Sequence, residues 1–229
     1  MVTGATHGIG RAIVSRLIMA GLVVWGVGRD DALLADLAAT HPAGMLLPVV
    51  LDLASGFDVM QRAAEQITGP VDALVHAAGV IETGPLLDAA AGPALADQLR
   101  TNTIGPLLLT TVLSSRLTTG ARIVFVNSSQ ALHAGPETGT YAASKNALRA
   151  IADSLRPELA GDAVGVTSIY LGRTATRMQE RLYAERHEDY HPELLIQPES
   201  VAALVAAILA LPEDVEVTEV AIRPSVKSY

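Results

Sequence analysis

The chain has 229 residues, half of them apolar, which is enough for one domain with a sizeable core and makes disorder unlikely. Its formal net charge of -8 argues against nucleic acid as a partner, because phosphate binding needs basic stripes. The absence of cysteine excludes disulfides, thiolate catalysis and cysteine-ligated metal, and it is consistent with a reducing cytoplasm.

No stretch of the chain suggests a membrane segment. The longest apolar run, residues 201–211, is shorter than the roughly 18 residues that a membrane span requires. The first three residues lead directly into a glycine-rich turn, so we expect no signal peptide. We therefore predict a cytoplasmic protein with no membrane partner and no bound metal.

Apolar, strand-like runs alternate with helix-like segments along the chain. The predicted strands cover residues 22–27, 45–51, 71–76, 121–127, 164–169 and 215–222. The predicted helices cover residues 9–20, 31–40, 57–67, 94–117, 140–159 and 199–211. The strand segments are continuous apolar runs, which indicates burial on both faces, as in a parallel sheet. The pattern predicts an α/β fold: a single doubly wound, Rossmann-like parallel sheet with helices on both faces and a ligand site at the carboxyl ends of the strands.

Residues 1–229 contain no linker or repeat, so we expect one domain, with two irregular stretches. The segment 171–197 is polar and basic and follows a strand end, and we interpret it as a substrate lid. Its arginines are either solvent-facing or placed to meet an anionic substrate; they are Arg173, Arg177, Arg181 and Arg186. Only three residues precede Gly4, so the first strand is unusually short or the native chain has residues before Met1.

Two motifs together indicate hydride chemistry. The turn Thr3-Gly4-Ala5-Thr6-His7-Gly8-Ile9-Gly10 lets the backbone approach a pyrophosphate at a helix N-terminus. Tyr141 and Lys145 stand four residues apart, which places them on one helix face, and a cation beside a phenol lowers the phenol pKa. Ser128, thirteen residues before the tyrosine, is placed to hydrogen-bond the same substrate oxygen. Each motif alone occurs by chance, but their combination predicts a dinucleotide that carries hydride and a tyrosine that carries the proton.

These motifs resemble those of the short-chain dehydrogenase/reductase family over nearly the whole chain. The matching segments, besides the glycine turn, are His76-Ala77-Ala78-Gly79, Thr101-Asn102-Thr103, Val126-Asn127-Ser128-Ser129, Tyr141-Ala142-Ala143-Ser144-Lys145 and Leu171-Gly172-Arg173-Thr174-Ala175-Thr176. The resemblance implies an oxidoreductase acting on a small alcohol or carbonyl compound. It implies four catalytic residues, Ser128, Tyr141, Lys145 and Asn102, with Asn102 holding a water molecule in a proton relay through Lys145.

The resemblance also implies a cofactor site that draws on the whole carboxyl edge of the sheet. Its expected members are Thr3, Gly4, Thr6, His7, Gly8, Ile9, Gly10, Gly28, Arg29, Asp52, Leu53, Ala77, Ala78, Gly79, Tyr141, Lys145, Gly172, Thr174 and Thr176. For Asp52 the choice is between accepting a hydrogen bond from adenine and capping the helix that follows. We favour NADP over NAD, because Gly28 stands where NAD-preferring relatives carry Asp and Arg29 is placed to pair with a 2'-phosphate.

Three positions depart from the family pattern. His76 replaces an asparagine, and we expect it to be a hydrogen-bonded core residue. Leu171 replaces a proline, which is expected to loosen the loop that follows. Residues 217–224 lack the glycine pair common after the last strand, which makes a tetramer contact through that strand doubtful.

The helices predicted at 140–159 and 94–117 are apolar on more than one face, which suggests burial against both the sheet and a second subunit. We therefore expect at least a homodimer.

Two other functions compete with an NADP-dependent dehydrogenase or reductase. One is a non-enzymatic NADP-binding regulator on the same fold, and the other is a different Rossmann enzyme such as a methyltransferase.

Overall fold

The computed structural model describes residues 1–225, so the last four residues of the predicted domain lie outside the described range. Seven parallel strands form one sheet in the order β3-β2-β1-β4-β5-β6-β7. The strands are β1 (Val2–Thr3), β2 (Val24–Gly28), β3 (Leu46–Val50), β4 (Val71–His76), β5 (Leu117–Ser128), β6 (Gly165–Leu171) and β7 (Glu219–Ile222). The order reverses at β1, where the chain passes from one half of the sheet to the other. A ligand crevice forms at such a reversal, and this confirms the predicted doubly wound architecture.

The helices connect the strands and cover both faces of the sheet. They are α1 (Gly8–Met19), α2 (Asp31–Ala39), α3 (Phe57–Glu65), α4 (Ala91–Leu99), α5 (Gly105–Leu113), α6 (Gly139–Leu159), α7 (Arg177–Glu185) and α8 (Pro198–Leu209). One apolar cluster joins α1, α2 and α8 to the sheet, and a second joins α3, α5 and α6 to its other face. All seven residues of β6 are buried, and only two of them, Thr167 and Ser168, are polar, which is typical of a strand covered on both faces.

The helix predicted at 94–117 is wrong in its continuity and at both ends. The helix begins earlier, with α4, and a π-helical segment, Arg100–Ile104, separates α4 from α5. Pro106 explains the interruption, because it has no N–H to donate to the carbonyl group of Asn102 four residues earlier. At the other end, Leu117 already pairs with Val71 as part of β5.

The last strand is shorter than the predicted 215–222. Before Glu219 the chain still follows β6, but side chains replace part of the backbone ladder. The Thr167 hydroxyl donates to the Val217 carbonyl at 2.6 Å, and the Val166 N–H donates to the Glu216 carboxylate at 2.9 Å. Within residues 1–225, no helix is long and apolar enough to cross a membrane.

Candidate active site

The glycine turn between β1 and α1 is built for close backbone approach. Gly4 and Gly8 have positive φ values of 67° and 49°, which side chains rarely adopt. A Cβ on Gly10 would lie 2.2 Å from the Gly4 carbonyl oxygen, so α1 packs directly against the turn. His7 precedes α1 without capping it through its side chain, and the first turn of the helix carries no acidic residue. The helix N-terminus therefore keeps its N–H groups and its positive dipole for an anion.

Thr3 holds the turn to the neighbouring strand end. Its hydroxyl accepts hydrogen bonds from the backbone N–H groups of Ala77 at 3.1 Å and Ala78 at 3.2 Å. A Cβ on Gly4 would lie 2.9 Å from Ala78, so these two segments are in contact. Thr3 itself is fully buried, and it supports the cleft from behind.

The charges at the end of β2 favour a phosphate. Arg29 is exposed, lines the cleft and forms no ion pair within residues 1–225. Asp30, the nearest carboxylate along the chain, caps α2 by accepting from the Leu33 N–H at 3.0 Å. A Cβ on Gly28 would lie 3.1 Å from the Thr6 methyl group, which leaves little room for a carboxylate at that position.

Asp52 keeps only one of the two alternatives that its sequence position left open, because it lines the cleft and does not cap the next helix. Its carboxylate accepts a local hydrogen bond from the Ala54 N–H at 2.9 Å, and the residue also lines the cleft. It does not cap α3, because that helix begins after Gly56 without a side-chain cap. One carboxylate oxygen thus fixes the turn, and the carboxylate retains capacity to accept another hydrogen bond.

Tyr141, Ser128 and Lys145 come together where β5 ends beside α6. The Ser128 side chain hydrogen-bonds the Tyr141 phenol. The Lys145 Nζ atom lies 6.0 Å from the centre of the Tyr141 ring and donates to the Val126 carbonyl at 3.1 Å. Lys145 is 4% exposed, so its charge sits in a protected position beside the phenol.

The pKa of Tyr141 differs from the sequence expectation. Burial raises it to about 12, against a smaller lowering by the hydrogen bond from Ser128. Burial also lowers the pKa of Lys145 to about 8. The expectation that Lys145 lowers the Tyr141 pKa is therefore not met in this structure, because burial dominates and the only opposing cause is the hydrogen bond from Ser128. The phenol is therefore protonated at neutral pH.

Asn127 joins the end of β5 to α6, a role that sequence reasoning missed. Its amide accepts from the Ser128 N–H at 2.8 Å and donates to the Lys145 carbonyl at 3.1 Å. One side chain thus sets the spacing between Ser128 and Lys145. The only sequence signal was its position directly before Ser128.

Asn102 lies behind the cleft, in the π-helical segment. Its side chain is occupied: the amide oxygen accepts from the Val80 N–H at 2.8 Å, and the amide nitrogen donates to the Val80 carbonyl at 2.9 Å and to the Ser144 hydroxyl at 3.0 Å. A Cβ on Gly79 would lie 3.3 Å from the Asn102 side-chain oxygen and 3.6 Å from the Lys145 Nζ atom. Asn102 and Lys145 thus approach each other around Gly79.

These parts share one cleft of about 570 Å3. The predicted site residues that line it are Gly4, Thr6, His7, Gly8, Ile9, Gly28, Arg29, Asp52, Leu53, Ala77, Ala78, Gly79, Ser128, Tyr141, Lys145, Gly172, Thr174 and Thr176. The other three predicted residues, Thr3, Gly10 and Asn102, do not line it and support it from behind. Between β5 and α6, Gly135, Pro136 and Thr138 also line the cleft.

Residues 171–197 fold over the open side of the cleft. The base of this segment is tied, because the Ala175 N–H donates to the Ile196 carbonyl at 2.8 Å and the Ile196 N–H to the Arg173 carbonyl at 3.1 Å. Between these ties, α7 crosses the cleft, and Arg181 donates to the Ile81 carbonyl at 2.7 Å on the opposite rim. Leu171 does not loosen the segment but extends β6, where it pairs with both Ser128 and Ile222.

His76 is the core residue that its sequence context predicts. It is 2% exposed, its Nε2 atom lies 2.9 Å from the Thr110 hydroxyl, and its ring stacks on Phe125 with centroids 4.9 Å apart. Burial, the largest cause, lowers its pKa to about 3, so the ring is neutral. It is absent from the cleft lining.

Comparison with known proteins agrees with this geometry. The short chain dehydrogenase family profile matches residues 1–187. An uncharacterised short-chain type dehydrogenase/reductase of Sinorhizobium fredii is 31% identical over 98% of this chain and 90% of its own. Farnesol dehydrogenase of Aedes aegypti is 32% identical over 98% of this chain and 94% of its own. The closed form of a serine dehydrogenase complexed with NADP+ has a TM-score of 0.87 at 24% identity, covering 100% of this chain and 95% of that one. The chain therefore belongs to the short-chain dehydrogenase/reductase family of oxidoreductases.

Proposed function

We propose that this protein transfers a hydride between NADP(H) and a small alcohol or carbonyl substrate, with Tyr141 as the acid or base. The observation that carries the proposal is the position of the Ser128–Tyr141–Lys145 group. It stands on the wall of the same cleft whose other end is the glycine turn. A dinucleotide bound at the turn and extended along the cleft would reach these side chains.

The residues at the cleft fit a dinucleotide. The uncapped N-terminus of α1 would face the pyrophosphate, and Asp52 and Arg29 would bind the adenosine end. The cofactor, when bound, supplies or accepts the hydride. In carbonyl reduction the neutral Tyr141 phenol donates its proton to the substrate oxygen, which Ser128 also holds by a hydrogen bond. Lys145 stabilises the phenolate left behind, and Asn102 would hold the water that returns a proton through Lys145.

The preference for NADP rests on Arg29. Its guanidinium is free of carboxylate partners within the described range, and Asp30 is turned away into its cap. A free arginine at this position suits a 2'-phosphate, whereas NAD recognition uses a carboxylate on the ribose. The serine dehydrogenase neighbour, complexed with NADP+, supports the same choice.

The substrate end of the cleft favours a small aliphatic molecule. Its walls include Ile81, Pro136, Met178 and Leu182, and no aromatic side chain other than Tyr141 lines the cleft within residues 1–225. We propose that residues 171–197 form a lid, because the segment is tied at its base while α7 spans the opening. A closed lid excludes water from the reacting atoms.

A panel of alcohols and carbonyl compounds, assayed with NADP and NADPH by the absorbance of reduced nicotinamide, tests the proposal. We expect turnover of at least one small aliphatic alcohol or of the corresponding carbonyl compound. This turnover should be faster with NADP(H) than with NAD(H). Tight binding of NADPH with no turnover across the panel would support the non-enzymatic regulator. Neither the comparisons nor the geometry favours that alternative, because a sensor needs no serine, tyrosine and lysine at one wall.

We also propose a cytoplasmic homodimer formed through α5 and α6. Two small residues of α6, Ala143 and Ala150, are exposed, and so is the apolar Ile104 directly before α5. Such residues allow helices of two subunits to approach closely. Sedimentation at micromolar concentration should give twice the monomer mass of 23.9 kDa. A monomer whose mass stays unchanged on concentrating would contradict the dimer.

A further inference from the structure

The N-terminal end of α7 lies against the glycine turn. A Cβ placed on Gly8 would lie 3.1 Å from the Thr176 methyl group, so these two residues are neighbours across the cleft. Thr176 caps α7 by accepting from the Gln179 N–H at 3.3 Å, which fixes the direction in which the helix leaves this contact. The first residue of α7 is Arg177.

Arg177 lies on the cleft side of α7. It lines the cleft together with His7 and Gly8 of the turn. Arg181 stands four residues later, hence on the same helix face, and reaches across the cleft to the Ile81 carbonyl. The helix is thus held at two points, and the face that carries Arg177 is directed at the turn rather than at bulk solvent alone.

Arg177 has no acidic partner to neutralise it. No ion pair to Arg177 forms within residues 1–225, whereas Arg181 pairs with Glu185 on the same helix. The guanidinium is close enough to the turn to act on His7: burial is the largest cause of the lowered His7 pKa, and Arg177 is the next. The lowered pKa leaves His7 neutral near pH 7, so Arg177 brings an unpaired positive charge to the turn, where an anion would neutralise it. The anion that belongs at this turn is a pyrophosphate.

We infer that Arg177 binds the pyrophosphate of the dinucleotide from the lid side, opposite the N-terminus of α1. The glycine turn holds the phosphates from one side with backbone N–H groups, and Arg177 completes the site when α7 lies across the cleft. Arg177 and Arg29 therefore read different parts of the cofactor. Arg177 meets a group common to NAD and NADP, and Arg29 meets the 2'-phosphate that only NADP carries. This inference rests on the proposed dinucleotide-binding function.

Equilibrium binding of NADPH and NADH, followed by the fluorescence of reduced nicotinamide, tests the assignment without any turnover. Arg177→Gln should weaken the binding of both cofactors by about tenfold, since a hydrogen bond to a charged group is lost. The ratio of the two dissociation constants should stay unchanged. The affinity for ADP-ribose, which carries the pyrophosphate but no nicotinamide, should fall to the same extent. Arg177→Lys should recover part of the affinity, because it keeps the charge but not the planar fork.

Arg186→Gln is the matched control, since Arg186 also lines the cleft but stands at the opposite end of α7. It should leave the affinities for NADPH, NADH and ADP-ribose unchanged. Unchanged cofactor affinity in Arg177→Gln, or a loss confined to NADPH, would overturn the inference while the proposed function stands. A rise in KM for anionic substrates alone would assign Arg177 to the substrate instead. Failure of the wild-type protein to bind either cofactor would refute the proposed function, and this inference with it.

Discussion

The two ends of the cleft are built in different ways. The cofactor end consists of backbone: glycine turns, strand ends and a helix N-terminus packed so closely that a Cβ on Gly10 would meet the Gly4 carbonyl at 2.2 Å. The substrate end consists of side chains on a crossing helix, held by a few polar contacts such as that from Arg181 to Ile81. The first end would hold a cofactor shared by many enzymes, and its backbone does most of this, with Arg29 and Arg177 proposed to add charged contacts. The second end has to select one substrate, which loops and side chains do with less constraint on the fold.

Among the substitutions considered, Gly10→Ala is expected to have the largest effect on the stability of the fold. The added methyl group has no space beside Gly4, and overpacking of this kind costs about 3 kcal/mol. For a chain of this size that corresponds to a fall in Tm of about 6–12 °C, measurable by thermal unfolding. Gly92→Ala is the control, because nothing lies within 4 Å of the added Cβ. An equal Tm for the two variants would show that the cofactor end is not rigidly packed.

Lys145→Met should reduce turnover by about a hundredfold or more, the usual range for an acid–base contribution. It removes the charge that stabilises the phenolate of Tyr141. The rate of carbonyl reduction by the wild-type protein should be constant near neutral pH. It should fall as the pH rises through about 8, where Lys145 loses its proton. The Tyr141 phenol, with a pKa of about 12, stays protonated over this interval.

The pH profile of the Lys145→Met variant should lack that fall. Arg149→Met is the control one turn further along α6, since Arg149 pairs with Glu219 instead of facing the cleft. Persistence of the inflection near pH 8 after Lys145 is replaced would assign it to another group.

Arg29→Asp should weaken NADP binding relative to NAD by about ten- to a hundredfold, because a charged hydrogen bond worth about 1.5–3 kcal/mol is replaced by repulsion. Calorimetric titration with both cofactors measures the ratio. Arg62→Asp makes the same charge change on α3, outside the cleft lining, and should leave the ratio as it is. If Arg29→Asp also leaves the ratio of affinities unchanged, another residue sets the preference for NADP, and His7 is the first candidate.

The smallest effect is expected at the lid. Arg181→Gln removes the contact between α7 and Ile81, and it should raise the substrate KM by about two- to fivefold, since exposed charged contacts contribute about 0.2–1 kcal/mol. Cofactor affinity should not change. Glu185→Gln removes the ion pair to Arg181 but leaves the contact with Ile81, and its kinetics should match the wild type. Equal KM values for all three proteins would remove Arg181 as a lid contact.

Sequence patterns predicted the cofactor end more fully than the substrate end. Glycine spacing, continuous apolar strands and the Tyr141–Lys145 interval are local signals, and each has a direct structural meaning. The π-helical segment at Asn102 escaped prediction because helical periodicity masks an interruption, although Pro106 was visible four residues later. The contacts of Asn127 and the proposed role of Arg177 depend on segments that are distant in the sequence, and no local pattern encodes them.

The pKa of Tyr141 shows why the chemistry of the site needed the structure. The spacing to Lys145 suggested that a nearby cation lowers this pKa. The largest cause in the structure is instead burial, which raises the pKa and depends on how α6 packs beside the end of β5. Residue spacing alone does not measure burial.

The most direct test of the central claim compares the wild type with Tyr141→Phe, measuring NADPH binding and carbonyl reduction in the same preparations. The variant keeps the ring that packs beside Lys145 and loses only the hydroxyl group that would donate the proton. NADPH should bind with wild-type affinity, while reduction should fall by at least about a hundredfold. A variant that binds NADPH normally and retains most of the wild-type rate would contradict the assignment of Tyr141 as the proton donor.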